Sequence, residues 1–274
     1  MITLLTALTA TSYILFLVDR LTKLAKTAFR QDIDIEIPYT VSVLVCGWRE
    51  PRELVEITLR SLREQTAIRN PKNDIEIIFV GCRGIDLETV EKYADKIICA
   101  PRGKLKARHI AIQHSRGEIV VSCDADTYYP PAWLALLLQP YLKEENIVAT
   151  CGPIIGGLGY SPTLGLVASN LLYLSYALPG INSSMLKDAY FKARGFNTHA
   201  DTEDIYSIWY EEEISLRRRL EKIGKIRKVP EAACITLEAL YREDRGLAES
   251  LRRGRELDWT TIWKKIGEKL TRLI

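Results

Sequence analysis

Short apolar runs alternate with amphipathic stretches along most of the chain, and this alternation predicts its secondary structure. Strand-like runs of apolar and β-branched residues occupy positions 41–46, 74–80, 96–100, 117–123 and 146–152. Helical spacing of apolar residues between these runs predicts helices at 50–66, 87–94, 104–115 and 131–142. Strands that alternate with helices are typical of a mostly parallel sheet flanked by helices, so we expect an α/β fold.

The two ends of the chain have different patterns. The first 18 residues carry no charge, and Lys23, Lys26 and Arg30 follow. This length and basic flank predict a hydrophobic membrane-anchor helix within residues 1–30, with the following domain in the cytoplasm. An amphipathic helix that packs on the domain or lies on the bilayer is the alternative.

The C-terminal segment, residues 241–274, is basic and amphipathic. Its apolar residues recur on one helical face, at Trp259, Ile262, Trp263, Ile266, Leu270 and Ile274. A basic helix with tryptophans on its apolar side is typical of a membrane surface. Docking onto the domain or onto a partner subunit is the other interpretation. Residues 31–240 remain between the two ends as the predicted main domain.

A long central stretch, residues 146–186, contains no charged residue. Within it, residues 163–178 have helical apolar spacing, interrupted by Ser169, Asn170 and Ser175. A buried core helix explains this pattern, and so does a surface that faces a membrane or accepts a lipid. The sequence leaves both interpretations open.

The composition excludes several classes of function. The net charge of +3, without a dense basic stripe, argues against nucleic acid as a partner. None of the six cysteines forms a CxxC pair, which argues against a zinc site. We therefore expect a reduced, cytosolic domain, with disulfides as the alternative if the source is hyperthermophilic.

Asp124 and Asp126 follow a strand-like apolar run in the stretch VVSCDADTYYPPAWL. Ligands bind beyond the carboxyl ends of strands in such sheets, and these two residues lie at that end. Two converging carboxylates repel each other unless a cation lies nearby, and Mg²⁺ or Mn²⁺ prefers such oxygen ligands. An ordinary polar strand exit is the alternative, since Asp is common in turns.

Four segments in order resemble the family 2 glycosyltransferases of the GT-A fold. The stretch from Gly103 to Leu134 resembles the helix, strand and DXD motif of that family, and residues 41–66 resemble its opening strand and helix. Residues 182–197 are similar to its acceptor-side segment, and residues 210–232 to its Glu-Asp motif with the following helix. The resemblance covers about residues 40–240.

This resemblance implies a GT-A (Rossmann-like) fold and an inverting transfer from a nucleotide-diphosphate sugar to a lipid-linked or membrane-proximal acceptor. Asp126 and Asp124 would bind Mn²⁺ or Mg²⁺, and Asp124 would also contact the donor. Glu213, at the Asp position of the Glu-Asp motif, would be the catalytic base, with Asp204 as the alternative. Further donor contacts are expected from Glu50, Gly103, Lys104, Arg108, Arg252, Arg253 and Arg255.

The sequence departs from the family pattern after the second strand. The family usually has an Asp pair there, one of which contacts the nucleotide base, whereas this chain has Gly81, Cys82 and Arg83. The resemblance therefore leaves the nucleotide open, with a UDP-sugar preferred over a GDP-sugar. A non-catalytic membrane scaffold of the same fold is a rival hypothesis, and a sugar-nucleotide nucleotidyltransferase is a weaker one.

Overall fold

The computed structural model of the chain describes residues 15–155 and 168–237. Within these residues, ten strands form two sheets. The strands are β1 (Val41–Cys46), β2 (Ile75–Val80), β3 (Lys96–Ile98), β4 (Ile119–Asp124), β5 (Thr127–Tyr128), β6 (Ile147–Cys151), β7 (Ile154–Ile155), β8 (Ser183–Leu186), β9 (Lys225–Lys228) and β10 (Cys234–Thr236).

The larger sheet has seven strands in the order β3-β2-β1-β4-β8-β6-β9. Neighbouring strands pair in parallel except at β8, which is antiparallel to both β4 and β6. The predicted mostly parallel α/β sheet is thus confirmed. Because β1, β2 and β4 run side by side in one direction, their carboxyl ends meet at one edge of the sheet.

Helices cover both faces of this sheet. The first is α1, residues 15–26, which continues as a 3₁₀ turn at Thr27–Phe29. It is followed by α2 (Arg52–Arg63), α3 (Thr66–Arg69), α4 (Leu87–Glu91), α5 (Lys104–His114) and α6 (Trp133–Lys143). Later helical segments are Ser169–Tyr173 with Leu174–Tyr176, then Lys187–Lys192, the 3₁₀ turn Thr198–Thr202, and the run Ile205–Trp209, Tyr210–Ser215 and Leu216–Leu220.

The last three segments form one continuous helix, residues 205–220, called here the acidic helix after Glu211, Glu212 and Glu213. Its middle part, Tyr210–Ser215, has π-helical hydrogen bonding. Such π turns inside helices are rare and are frequent at functional sites.

The core forms two layers because successive side chains of a strand point to opposite faces of the sheet. Val43 and Val45 pack toward α2 and α6, whereas Leu44 packs toward α5 and the later helices. Burial on both faces explains why the central strands are continuously apolar in sequence. The apolar face of α2 contributes Leu59 and Leu62, both fully buried.

The smaller sheet, in the order β5-β10-β7, forms a third apolar cluster with α1. Leu21 and Ala25 of α1 are buried against this cluster, so the second half of the helix packs on the domain. Leu15 and Phe16 remain exposed. Over the described residues, none of the helices has both the length and the apolar character needed to cross a membrane.

Two sequence-based predictions concern segments that the structure leaves undescribed. Residues 1–14 of the predicted anchor and the C-terminal segment 241–274 lie outside the described residues. Both therefore stay predictions. The central helix predicted at 163–178 is seen from residue 168 to Tyr176, with Leu174 buried in the core and Leu171 and Tyr176 exposed.

The cysteines required a correction. Cys82 and Cys99 form a disulfide between the loops that follow β2 and β3, so the expectation of a fully reduced domain is wrong for this pair. Cys123, Cys151 and Cys234 are buried free thiols. A buried thiol behaves as a small apolar side chain, which accounts for these three without any further role.

Candidate active site

A cavity of about 410 Å³ lies at the carboxyl ends of β1, β2 and β4. Its lining combines acidic groups, cations and an aromatic ring. It includes Asp124, Asp126, Glu50, Lys104, Arg102 and Trp48, together with the backbone of Gly47, Gly81 and Gly103. The cavity thus occupies the edge of the sheet where the sequence predicts a ligand site.

The backbone around Asp124 and Asp126 is held on two sides. β4 ends at Asp124, and the amide of Ala125 donates a 3.0 Å hydrogen bond to the carbonyl of Cys46 at the end of β1. The Asp126 carbonyl accepts a 2.8 Å hydrogen bond from the amide of Leu237. The turn between β4 and β5 is therefore fixed before any ligand binds.

Asp124 is paired with cations from α5. Its carboxylate accepts a hydrogen bond from Arg108 Nη2 and lies 3.8 Å from Lys104 Nζ. Burial alone would raise the pKa of Asp124, but Lys104 and Arg108 bring it below its ordinary value. Asp124 therefore carries a negative charge that α5 already balances.

Arg108 also binds the acidic helix from beneath the cavity. Its Nη1 pairs with Glu212 Oε1, and both side chains are only 2% exposed. Lys104 Nζ lies 3.0 Å from the other oxygen of Glu212, so one buried network joins α5, β4 and the acidic helix. A Cβ at Gly180 would lie 2.1 Å from Arg108 Nη1, so this network requires glycine at that position.

Asp126 contributes a half-buried carboxylate to the cavity wall. Its Oδ1 lies 3.3 Å from the donating hydroxyl of Thr127. Among residues 15–155 and 168–237, no group of three or more Asp, Glu, His or Cys side chains converges as a complete metal site. Mg²⁺ in nucleotide sites is commonly held by one or two carboxylates with water and substrate phosphates, and Asp126 beside Asp124 fits that donor set.

Glu213 lies beside this network and is 6% exposed. Burial raises its pKa to about 7, although Lys104, Arg108 and a hydrogen bond with the backbone of Gly180 oppose the rise. A carboxylate with a pKa near neutrality has the property expected of a general base. Glu211, in contrast, accepts hydrogen bonds from Arg219 Nη2 at 2.6 Å and from the Asn197 amide at 2.9 Å, which is a structural role.

The alternative base, Asp204, lies in a different environment. It is exposed, and its carboxylate accepts a 2.8 Å hydrogen bond from the amide of Ser207 as the N-cap of the acidic helix. This contact is an ordinary capping interaction. The three arginines proposed for the diphosphate, Arg252, Arg253 and Arg255, lie outside the described part of the chain.

The predicted donor residues Glu50, Gly103 and Lys104 line the cavity, whereas Arg108 lies beneath it. The Glu50 carboxylate accepts a hydrogen bond from the amide of Trp48. Gly103 has a φ of +133° and faces Asp201, whose carboxylate lies 2.5 Å from the position of a Cβ there. A side chain at position 103 would therefore be strained in its backbone and would collide with Asp201.

Asp201 was missed by the sequence-based reasoning. It lines the cavity and accepts hydrogen bonds from the amides of Leu105 at 3.1 Å and Lys106 at 2.8 Å. It thus caps the first turn of α5 from a segment 95 residues away in sequence. No local pattern in the sequence connects the two segments.

Two glycines that follow strands β1 and β2, Gly47 and Gly81, form part of the wall of the cavity. A Cβ on Gly81 would lie 2.0 Å from the carbonyl oxygen of Gly47, and Gly81 has a φ of +119°. Gly81 and Ala100 line the cavity next to the disulfide partners Cys82 and Cys99. The disulfide therefore holds together the two loops that form this wall.

Trp48 forms the rim of the same wall. Trp48 is 38% exposed, and the guanidinium of Arg83 lies 5.5 Å from the centroid of its ring. Arg49 lies 6.0 Å from the same ring. The signal in the sequence was an aromatic residue two positions after the end of β1, and Trp48 was not among the predicted site residues.

Comparisons with known proteins concern the sequence family and the fold. Residues 42–165 match the model of Glycosyl transferase family 2. The structure of mannosyltransferase PcManGT from Pyrobaculum calidifontis with GDP-Man and Mn²⁺ superposes with a TM-score of 0.54 at 20% identity, over 90% of this chain and 71% of that one. No curated protein matches the chain significantly by sequence.

A second solved structure, GalNAc-T7 with UDP, GalNAc and Mn²⁺, also superposes with a TM-score of 0.54. It is 16% identical, and the match covers 72% of this chain but only 44% of GalNAc-T7. At these identities the likeness concerns the fold, which is a GT-A-like α/β fold. Together with the family match over residues 42–165, it confirms the prediction of a glycosyltransferase.

Proposed function

We propose that this protein is a metal-dependent inverting glycosyltransferase that uses a nucleotide-diphosphate sugar. The observation that carries the proposal is that two carboxylates in different environments, Asp126 and Glu213, lie near the same cluster of Lys104, Arg108 and Asp124. Asp126 lines the cavity, whereas Glu213 is buried beside Lys104 and Arg108 with a pKa raised to about 7. The Asp126 carboxylate is suited to bind a divalent cation, and the Glu213 carboxylate is suited to accept a proton.

The donor would occupy the cavity with its nucleoside toward Trp48, Glu50 and Gly81. Its diphosphate would approach Lys104, whose partly exposed ammonium faces the cavity. Burial alone would lower the pKa of Lys104, but Asp124 and Glu212 raise it above its ordinary value, so Lys104 stays charged. A fixed cation there would orient a diphosphate and balance its charge.

Asp126, with Asp124 in its surroundings, would hold Mn²⁺ or Mg²⁺. The cation would neutralise charge on the departing diphosphate, as divalent ions do in such reactions. PcManGT and GalNAc-T7 were both solved with Mn²⁺ and a nucleotide, which supports this assignment by fold likeness. Since the charge of Asp124 is already neutralised by Arg108, we propose that Asp124 contacts the donor and lies near the metal without being its main ligand.

Glu213 would accept the proton of the acceptor hydroxyl during attack at the anomeric carbon. In its deprotonated form it has the required basicity near neutral pH, and its burial keeps water from competing. Attack from the side opposite the diphosphate would invert the anomeric configuration. Asp204, exposed and engaged as a helix cap, is the weaker candidate for this role.

For the acceptor, we propose a lipid-linked or membrane-proximal molecule, with the catalytic domain on the cytoplasmic side. The support is the uncharged N-terminal segment with its basic flank and the basic amphipathic C-terminal segment. For the donor, a UDP-sugar is the first choice and a GDP-sugar the second. The order is open to the test below, because the chain has Gly81-Cys82-Arg83 where the family usually has the Asp that contacts the nucleotide base.

The test is thermal unfolding of the full-length protein with UDP, GDP and their sugars, with and without Mn²⁺. Stabilisation by one nucleotide that requires Mn²⁺ is the expected result, since a ligand that binds only the folded state raises its stability. If no nucleotide stabilises the protein, the rival hypothesis of a non-catalytic scaffold is favoured. Transfer of a nucleotidyl group to a sugar phosphate would favour the nucleotidyltransferase instead.

A further inference from the structure

A cluster of aromatic side chains lies on the acidic helix, next to the donor cavity, with Tyr206 exposed and Trp209 and Tyr210 half-buried. Tyr206 is 64% exposed, and its ring centroid lies 5.7 Å from that of Trp209 and 6.3 Å from that of Tyr210. Ile205, beside them, is 85% exposed. Exposed apolar groups that lie together mark binding surfaces more often than single exposed residues do.

The position of this cluster links it to the reaction rather than to another surface. Ile208, between Tyr206 and Trp209 in sequence, lines the donor cavity. Trp209 precedes Glu213 by four residues in the same continuous helix, and residues with this spacing lie on neighbouring turns of one side. A molecule on the aromatic cluster would therefore have both the donor cavity and Glu213 beside it.

The charges around the cluster indicate the chemistry of its occupant. Positions 201–210 contain three carboxylates, Asp201, Glu203 and Asp204, and these outnumber the cation that contacts the cluster, Arg218 at Tyr210. The negative surface of an anionic bilayer or a bare lipid phosphate would be repelled there. Neutral hydroxyl groups, in contrast, are donors that a carboxylate accepts.

Aromatic faces and carboxylates together suit a neutral sugar ring. The face of an aromatic ring carries a negative partial charge and attracts the weakly positive C–H groups of an apolar surface, such as one side of a pyranose. The other groups of a sugar ring are hydroxyls, which match the neighbouring acids. Arg218 holds Tyr210 in place, with Nη1 3.1 Å from the phenol oxygen that accepts its hydrogen bond.

We propose that Tyr206 and Trp209 form the acceptor subsite and bind a neutral sugar ring, so that the attacking hydroxyl belongs to a saccharide rather than to a bare lipid phosphate. This inference rests on the proposed function and narrows its acceptor. The lipid-linked acceptor would thus already carry a sugar, and the enzyme would extend it.

The experiment compares the full-length protein with its Tyr206→Ala and Trp209→Ala variants in the presence of Mn²⁺ and the nucleotide sugar that stabilises it. The acceptor probes are hexyl glycosides of neutral sugars and, separately, farnesyl phosphate. Ile223→Ala is the matched control, because Ile223 is exposed but lies beyond the end of the acidic helix. Tyr206→Phe tests whether the ring alone suffices.

The expected result is transfer to a glycoside, with its KM raised about tenfold in each alanine variant, as the loss of one aromatic contact predicts. The Kd of the nucleotide sugar should be unchanged, and Tyr206→Phe should keep a KM close to that of the parent. Preferred transfer to farnesyl phosphate, or a glycoside KM that neither alanine variant changes, would overturn the inference. If no nucleotide sugar binds, the proposed function itself fails.

Discussion

The ammonium of Lys104 lies 3.0 Å from the Glu212 carboxylate, and this contact joins the wall of the donor cavity to the acidic helix. Lys104 is partly exposed to the cavity, whereas Glu212 is buried. A charge that arrives in the cavity therefore acts on the same network that surrounds Glu213. The donor cavity and the candidate base Glu213 are therefore electrostatically connected before any substrate is present.

Replacement of Glu213 by Gln should stop transfer and leave donor binding intact. The amide has the shape of the carboxyl group but accepts no proton, so turnover should fall by roughly 10²–10⁴-fold. Single-turnover assays and calorimetric titration of the donor measure the two effects. Asp204→Asn is the matched control and should keep most of the activity. The opposite order of effects would make Asp204 the base.

The rate should depend on pH through Glu213. A base acts when deprotonated, so kcat should rise with pH through about 7, the value to which burial raises the pKa of this group, and then level off. The pH profile of kcat with saturating donor measures this dependence. A profile that is flat between pH 5 and 8 would contradict the assignment.

The same burial predicts that Glu213→Gln stabilises the fold at high pH. A carboxyl whose pKa is raised on folding favours the folded state below its unfolded value near 4.5, and this contribution is lost as the pH rises through about 7. Above pH 7 the neutral variant should be more stable than the parent by on the order of 3 kcal/mol. Urea unfolding at pH 5 and pH 8 checks this, with little difference expected at pH 5.

Asp126→Asn should remove the dependence of donor binding on metal. The amide keeps the size of the side chain but loses the negative charge, which a divalent cation requires of its protein ligands. The affinity for the nucleotide, titrated with and without Mn²⁺, should become equal in this variant. Asp188→Asn is the control, because that carboxylate pairs with Lys192 on the surface. Retained Mn²⁺ dependence in Asp126→Asn would contradict the role.

Arg108→Met should destabilise the protein strongly. The arginine is 2% exposed and bridges Asp124 and Glu212, so its loss removes the buried cation and leaves both carboxylates to the partly exposed Lys104. Breaking a buried ion pair costs about 3–5 kcal/mol. Urea unfolding measures the change, and Lys92→Met, which removes the exposed pair with Glu88, should cost less than about 1 kcal/mol. Similar costs for both variants would show that the network adds little to stability.

Reduction of the Cys82–Cys99 disulfide should weaken nucleotide binding and lower the Tm. The bond closes a short loop, since the two cysteines are 17 positions apart, and a loop of about this length contributes about 3 kcal/mol. The Cys82→Ser, Cys99→Ser double variant should bind the nucleotide less tightly, because Gly81 and Ala100 in the cavity wall adjoin the two cysteines. Cys151→Ala is the control for a buried thiol. Unchanged affinity in the double variant would separate the disulfide from the site.

The sequence predicted the elements around the cavity well because hydrophobic periodicity is local. The strand at 41–46 agrees at both ends, and the carboxyl end of β4 lies at Asp124, where the apolar run stops. Strand β8 was missed because Ser183 and Ser184 lack the apolar character of a central strand. Both are buried, and Ser184 is satisfied by the hydroxyls of Tyr141 and Thr150, which no local pattern reveals.

The chemistry of the site was less accessible to sequence than its position. Asp124 and Arg108 were both expected near the donor, but their mutual neutralisation depends on a contact between β4 and α5. Glu212 joins the same contact from a distant segment. The burial that raises the pKa of Glu213 likewise comes from tertiary packing, so spacing could select this residue without predicting its basicity.

The π-helical turn Tyr210–Ser215 changes how related sequences must be aligned with this one. A π turn accommodates an additional residue within an otherwise regular helix. A homologue with one residue fewer at this place would form an uninterrupted α-helix, and its preceding side chains would be rotated by about 100° around the helix axis. Gap placement between Trp209 and Leu216 therefore determines which side chain is matched to Glu213.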